Sequence, residues 1–429
     1  MSDELFSPEE GMPLEERERY YSEQVSQMVQ FGYDNAPAVK NKLNRAGVKP
    51  SQIRTTRDLE MVPYITRDEI IELQAADPPY GGLLAVPVES LFKIVYSPGP
   101  MYVPIGSPEA GAGGARKVLH SIGLRKGDRA ILSMPTLFNA GSGCTDALVL
   151  DGIVFVPAGA GNTELQVTMI RDLGIKGYIG TPTFLMNMLQ KTDELGFDFR
   201  KEFKLNTAVV WGEPLLPEVR KTFENKYGIR IADGIGAGPG FIFGCECGEK
   251  NGIHVTEEQF IEIIDLDTGK RLQPGELGAV SVTTLNNYAF PMIRYVTGDL
   301  SRLSVDPCHC GRTSPRMMGV LGRVGDSTKV RAIYLTPGQV KAVVSRFPVI
   351  SKCQVVVNRK GYKDEMVLYI ELADDAVDRT TLSKEFQADF QSAARLRIDK
   401  IDFVTAGTIP DDYKTIIDKR VRYDPYSPS

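Results

Sequence analysis

Histidine is scarce in this chain. Three occur in 429 residues: His120, His254 and His309. No Ser-His-Asp nucleophile can be drawn around so few imidazoles, and His120, on a helix face, reads as structural. No apolar run reaches the roughly eighteen residues a spanning helix needs, so no membrane segment is expected. There is no basic block either. Lys and Arg total 50 against 55 Asp and Glu, a net charge of -5, which argues against nucleic acid as a partner. The N-terminal stretch MSDELFSPEEGMPLEERERYYSEQ is acidic and has no apolar core of the kind a secretory signal carries. The expected location is therefore the cytoplasm.

What is present suits a globular protein of two or three domains: 42% hydrophobic and 24% charged residues over a length too great for one core. Six cysteines occur, at 144, 245, 247, 308, 310 and 353. Four of them form two Cys-x-Cys pairs, and His254 follows Cys247 by seven residues. Without a secretory signal, this clustering favours a metal over disulfides. Cys144, after a Gly-rich turn, reads as a small core residue.

Between about residues 90 and 232, short apolar runs alternate with helical stretches, among them helices over 109–122, 162–173, 183–194 and 217–227 and a Gly-rich helix start at 139–143. Such alternation predicts a parallel sheet, with ligands bound beyond the carboxyl ends of its strands. Strands over 258–265, 279–284 and 293–303 predict a smaller β layer, and an α+β pattern begins near 327. The expected fold class is thus α/β, with a large domain over 1–326 and a small α+β domain over 327–429.

Residues 291–331 carry several signals at once: Thr297-Gly298-Asp299, Cys308-His309-Cys310, and Gly322-Arg323 followed by Gly325-Asp326. Further motifs accompany them in order: GAGNTELQ (159–166), GTPTFL (180–185), Trp211-Gly212-Glu213-Pro214-Leu215, Arg294 to Leu300, CHCGRTSPRM, LGRVGD and GTIPDDYKTIIDKR. Together these resemble the phenylacetate-coenzyme A ligase branch of the adenylate-forming superfamily. The resemblance implies activation of a carboxylate by ATP, transfer of the acyl group to coenzyme A, and a small C-terminal domain that swivels between the two half-reactions. It assigns the ribose hydroxyls to Asp299, with Arg323 assisting and Glu213 and Gly234 on neighbouring nucleotide-site segments. Asp326 becomes the swivel point and Lys414 the catalytic lysine. Phe138, Phe184, Trp211, Gly236 and Ala237 would line an acyl pocket. Cys247, His254, Cys308 and Cys310 match structural zinc ligands carried by some members of the branch, a donor set suited to closed tetrahedral Zn²⁺. Cys245 and His309 are spare neighbours of that set.

The departures fall on the chemistry. Where the family has the phosphate loop Ser-Ser-Gly-Thr-Thr-Gly-Lys-Pro, this chain has Ser97-Pro98-Gly99-Pro100-Met101-Tyr102-Val103-Pro104. The threonines and the lysine are missing, and three prolines remove backbone donors. Where the family has Tyr-Gly-Leu-Ser-Glu after a strand, this chain has Asp233-Gly234-Ile235-Gly236-Ala237, so the magnesium-binding carboxylate is absent. The segment around Lys414 is shorter by about three residues than its family counterpart, and Ala332 stands for a glycine beside the coenzyme A channel. These changes count against ATP and magnesium as cofactors and leave zinc, with coenzyme A or an acyl-coenzyme A. The leading expectation is a protein acting on an aryl or acyl carboxylate or its coenzyme A thioester, with adenylation impaired or replaced. Two others stand beside it: an aryl-coenzyme A ligase with substituted ATP-site residues, and a non-catalytic binding or scaffold protein on a ligase fold. A small-molecule partner is expected, with a homodimer compatible and neither nucleic acid nor membrane involved.

Overall fold

A computed structural model describes residues 4–97, 101–237, 241–325, 328–331, 333–373, 377–421 and Tyr426. The chain divides into two compact units, one of residues 1–321 with 424–429 and the other of 322–423. Tyr426 thus belongs to the larger unit.

The larger unit opens on a helix, Leu14–Asn35, whose buried residues Arg17, Tyr21, Val25, Met28, Val29 and Gly32 recur at helical spacing. An antiparallel hairpin follows, β1 (Lys93–Ser97) and β2 (Met101–Ile105). The central sheet is built on β3 (Arg129–Leu132), β4 (Val154–Val156), β5 (Gly177–Gly180), β6 (Thr207–Val210) and β7 (Arg230–Ala237), parallel and in the order β4-β3-β5-β6-β7. All residues of β5 and β6 are buried, as expected of parallel strands covered on both faces. β8 (Phe241–Glu246) and β9 (Ile253–Val255) extend the sheet antiparallel beyond β7, followed by the short strands Arg316–Met317 and Leu303–Ser304. A separate antiparallel layer contains β10 (Gln259–Ile264), β11 (Gly278–Thr284) and β12 (Tyr295–Ser301).

Two local readings change. The helix expected over 109–122 is two helices, Pro108–Ala112 and Ala115–Ser121, broken where Gly113 takes φ +49°. A Cβ on the adjacent Gly114 would lie 2.3 Å from Thr256 Oγ1 and 2.7 Å from the Ile242 carbonyl, so the break lets the chain pass close against β8. Residues 233–237, expected after a strand, are the second half of β7. They stay in the strand because β8 supplies an antiparallel partner, pairing Gly234 with Cys245 and Ala237 with Phe241.

The smaller unit packs helices Pro337–Val344 and Arg379–Ala394 with an antiparallel pair, Ile350–Lys360 and Lys363–Leu372. Strands Ile416–Asp418 and Lys400–Val404 flank that pair in parallel. Its core includes Val355, Val357, Met366, Leu368, Phe386 and Phe390. Among the described residues, no helix is long and apolar enough to cross a membrane.

Gly244 sets the closeness of β8 and β9. A Cβ there would sit 1.7 Å from the His254 carbonyl oxygen, a backbone atom with no free movement. Gly244→Ala is therefore expected to lower the unfolding free energy by about 3 kcal/mol. Urea unfolding followed by fluorescence of the single tryptophan, buried Trp211, reads this out. An unchanged midpoint would contradict the close packing.

Candidate functional site

The register of the central sheet lines up the carboxyl ends of its parallel strands. Ile131 pairs with Val156, Leu132 with Ile179, Gly180 with Val210, and Val210 with Asp233. The segments after these strands therefore border one edge, where open α/β sheets bind ligands. Ser133 donates to Gln166 Oε1 (2.8 Å), and Gln166 Nε2 donates to the carbonyls of Gly159 (3.0 Å) and Gly161 (2.7 Å). The buried Gln166 so holds the glycine turn in place, a role its position within GAGNTELQ did not reveal.

The expected acyl-pocket residues share this edge. Phe138 precedes the helix Asn139–Leu150, and its ring lies 6.4 Å from that of Tyr96. Half-buried Phe184 sits in the first turn of helix Pro182–Glu194. Trp211 is 4% exposed and belongs to the sheet's core. Its Nε1–H points at Met134 Sδ (2.7 Å), and a Cβ on Gly234 would lie 2.7 Å from its ring. Gly234 thus makes room for the indole. Gly236 lies beside a bulge in β7, and the backbone of Ala237 pairs with Phe241. Glu213 accepts from the Thr183 N–H (3.3 Å) at the start of helix Pro182–Glu194, where a helix N-terminus favours negative charge.

An acid cluster joins β7 and β8. Glu246 accepts from Arg220 Nη2 (2.6 Å), the Asp233 N–H (2.8 Å) and the Tyr426 hydroxyl (2.7 Å). Burial, then the nearby Glu246 charge, pushes the Asp233 carboxyl well above the usual range. Burial, and again Glu246, raises the Tyr426 phenol. Nothing in the irregular C-terminal sequence marked Tyr426, because its partner lies 180 positions away.

The stretch matching the phosphate loop is the β1–β2 hairpin. Tyr96 pairs with Tyr102 and Ser97 with Met101. Pro98, Gly99 and Pro100 lie outside the described residues. The Tyr102 N–H donates to Gln74 Oε1 (2.9 Å), and the Tyr96 and Tyr102 rings meet edge to face at 5.8 Å. Lys93, at the base of the hairpin, is ion-paired with Asp146.

Asp299 lies within β12 rather than in a free turn. Ser281 pairs with Val296 and Ala279 with Leu300, so Thr297, Gly298 and Asp299 bulge out of the strand opposite Val280. Gly298 takes φ +82°, and the Asp299 N–H donates to Thr297 Oγ1 (3.1 Å). Asp299 itself is 6% exposed.

The four expected metal ligands come together. One donor atom from each of Cys247, His254, Cys308 and Cys310 lies within 4.8 Å of every other. Cys247 Sγ is 3.7 Å from Cys308 Sγ, and Cys310 Sγ is 3.4 Å from His254 Nε2. A tetrahedron with Zn–S near 2.3 Å and Zn–N near 2.0–2.1 Å has edges of about 3.8 Å and about 3.6 Å, so the donors fit that ion. His254 Nδ1 is 3.4 Å from Ser314 Oγ, which leaves Nε2 for a metal. A hydrogen bond from Cys247, with further ones from His254 and the Arg312 backbone, holds the Cys310 thiol far below its ordinary range despite burial. The two spare neighbours lie outside the group. The Cys245 sulfur contacts Ser121 Oγ (3.0 Å), burial pushes its thiol up to about 12, and His309 is exposed. Cys144 is fully buried in the core, and His120 packs edge-on against Phe6.

In the smaller unit, half-buried Arg323 lies in its opening strand, Gly322–Arg323. Lys414 is exposed, and its carbonyl accepts from Gln354 Nε2 (2.9 Å). Asp326 and Ala332 lie outside the described residues.

No protein-family model matches the chain. The phenylacetate-coenzyme A ligase of Thermus thermophilus is 30% identical to it over 384 residues, covering 86% of this chain and 85% of that protein. The phenylacetate-coenzyme A ligase of Escherichia coli is 28% identical over 425 residues, 94% of each. Among solved structures, a 2-hydroxyisobutyryl-CoA ligase in complex with 2-HIB-AMP and CoA, in its thioesterification state, aligns with a TM-score of 0.89 at 25% identity, covering 98% of this chain and 95% of that one. With that identity extending over most of both chains, and with the same α/β architecture, this protein belongs to the phenylacetate-coenzyme A ligase family of adenylate-forming enzymes.

Proposed function

We propose that the protein acts on an aryl or acyl carboxylate, or its coenzyme A thioester, with ATP-dependent adenylation impaired or replaced. The β1–β2 hairpin carries this reading. A phosphate cradle needs several converging N–H donors and a cation. Here the Tyr102 N–H is taken by Gln74, and Lys93 is paired with Asp146. The acids near the missing magnesium ligand are also engaged. Glu246 is enclosed by Arg220, Asp233 and Tyr426, and Glu213 serves the start of a helix.

The acyl group would sit at the carboxyl edge of the sheet, between Phe138, Phe184, Gly236 and Ala237, with Trp211 as a buried wall. Asp299 would hold hydroxyls of a nucleotide-like group, with Arg323 assisting, Asp326 acting as the swivel point and Lys414 as the catalytic lysine. A functional aryl-coenzyme A ligase is the second reading, favoured by the Thr297–Asp299 bulge, which is present although the family's phosphate-loop sequence is not. Cys247, His254, Cys308 and Cys310 would hold a structural Zn²⁺. Four protein donors leave no open position for substrate, so such an ion ties β8 and β9 to the 308–310 loop.

Three outcomes are expected. With ATP, magnesium and a panel of aryl and short-chain acids, the purified protein gives no acid-dependent pyrophosphate release above background. Turnover on the order of 1 s⁻¹, ordinary for an enzyme, would establish the second reading instead. In thermal shift, a bound coenzyme A thioester at a hundredfold its Kd adds about 2.7 kcal/mol, whereas ATP with magnesium gives no shift. A larger shift with ATP sinks the proposal, and no shift with any of these ligands points to a scaffold role. Finally, metal analysis of unchelated protein finds about one zinc per chain, and Cys308→Ala loses it and melts at least about 5 °C lower. Zinc-free wild-type protein would falsify the metal assignment.

A further inference from the structure

Arg312 is 5% exposed, two positions after Cys310. Its Nε donates to Glu10 Oε1 (2.8 Å). The other Glu10 oxygen accepts from the backbone N–H groups of Phe6 and Ser7. Both Arg312 Nη atoms are buried without a hydrogen-bond partner among the described residues. A buried guanidinium with four unmade N–H bonds is costly unless an acceptor meets it.

The space beside Arg312 identifies that acceptor. A cavity of ≈ 20 Å³ lies between Arg312, Ser121, Cys245, Cys247, His254 and Ser314. That is room for about one water, which needs roughly 10–15 Å³ and several polar neighbours. The cavity's lining thus includes two of the four metal ligands, Cys247 and His254, together with the carboxylates of Glu10, Glu246 and Glu257, each of which is already paired with a cation. The other buried cations nearby are already matched. Lys117 bonds Glu257 (2.6 Å) and Glu258 (2.9 Å), and Arg17 bonds Glu257 (2.7 Å). Three thiolates and one imidazole around Zn²⁺ carry a net charge of about -1, which in a buried site calls for a counter-cation.

We infer that Arg312 is the positioning cation of the metal centre: its Nη groups face the ligand cluster across a one-water cavity, and Glu10 aims them there. The inference rests on the zinc reading above. It makes the N-terminal segment part of the metal site. The Thr313 N–H donates to the Glu10 carbonyl (2.9 Å), and the Thr313 hydroxyl to the Met12 carbonyl (2.6 Å). Arg17 Nη2 bonds both the Glu9 carbonyl (2.7 Å) and Thr313 Oγ1 (2.9 Å).

The test measures zinc affinity by competition with a chromophoric chelator on full-length wild-type, Arg312→Gln, Arg312→Lys and Glu10→Gln proteins, with circular dichroism to confirm folding. Arg312→Gln is expected to bind zinc 10- to 100-fold more weakly, the usual loss when a group supporting metal ligands is removed. Arg312→Lys, which keeps the charge, recovers most of that affinity. Glu10→Gln, whose amide oxygen can still accept from Nε and keep the aim while the competing negative charge is gone, holds or raises it and stays informative should Arg312→Gln fail to fold. Zinc affinity in Arg312→Gln within twofold of wild type overturns the inference, as does Arg312→Lys as weak as Arg312→Gln or a tenfold fall in Glu10→Gln. A wild type that binds no zinc overturns the metal reading and this inference with it. Unchanged Arg312→Gln affinity in a zinc-binding wild type overturns the inference alone.

Discussion

The antiparallel layer of the larger unit is organised by one buried guanidinium. Arg294 is 1% exposed and is the largest fully buried side chain among the described residues. It donates to Glu262 Oε2 on β10 (3.2 Å), to the Val62 carbonyl (2.8 Å) and to the Gly269 carbonyl (2.6 Å), while its own N–H reaches Thr283 on β11 (3.1 Å). Burial, partly offset by Arg294 and Arg271, raises the Glu262 carboxyl, so the acid depends on these cations to stay charged. The backbone of Arg294 takes φ +53°, a conformation costing a non-glycine residue about 1–2 kcal/mol. Removing one partner from such a buried pair strands a charge, at a cost of about 3–5 kcal/mol. β12 begins at the next residue, so this anchor also fixes where the Thr297–Asp299 bulge emerges.

A second constraint shapes the edge of the central sheet. A family member that uses ATP needs flexible donors for phosphate and a free carboxylate for magnesium. In this chain the described residues of the corresponding segments are paired into strands: β1 with β2, and β7 with β8. Backbone N–H groups spent on pairing or on Gln74 are not available to an anion. The Thr297–Asp299 bulge in β12 belongs to another layer.

The Cys/His cluster lies in the same unit. Its ligands span 61 positions between Cys247 and Cys308. Cys247 leaves β8, His254 sits in β9, and the other two lie on the loop leading to Arg316–Met317, which pairs with β9. A short ladder thus brings the loop to the strands, and the close approach at Gly244 sets the height of His254. The pairing of Arg312 with Glu10, 302 positions apart, adds the N-terminal segment to this construction.

Much of this was legible in residue order. Alternating apolar runs and helical stretches specify the parallel sheet, since strands buried on both faces must be apolar throughout. Two Cys-x-Cys pairs and His254 mark candidate metal donors, since those side chains coordinate as few others do, and the family resemblance picks four of the candidates. Other features were not legible, for reasons that can be named. Residues 233–237 look like a post-strand turn, and only pairing with β8 makes them strand. Thr297-Gly298-Asp299 looks like a turn, and only the register against Val280 makes it a bulge. Glu246, Tyr426, Glu10 and Arg312 carry no periodic signal, because each is defined by a partner 180 or 302 positions away. Local spacing determined which elements and ligands this chain has. Tertiary closure alone decided which buried charges meet, because burying a charge is tolerated only where the fold delivers its partner.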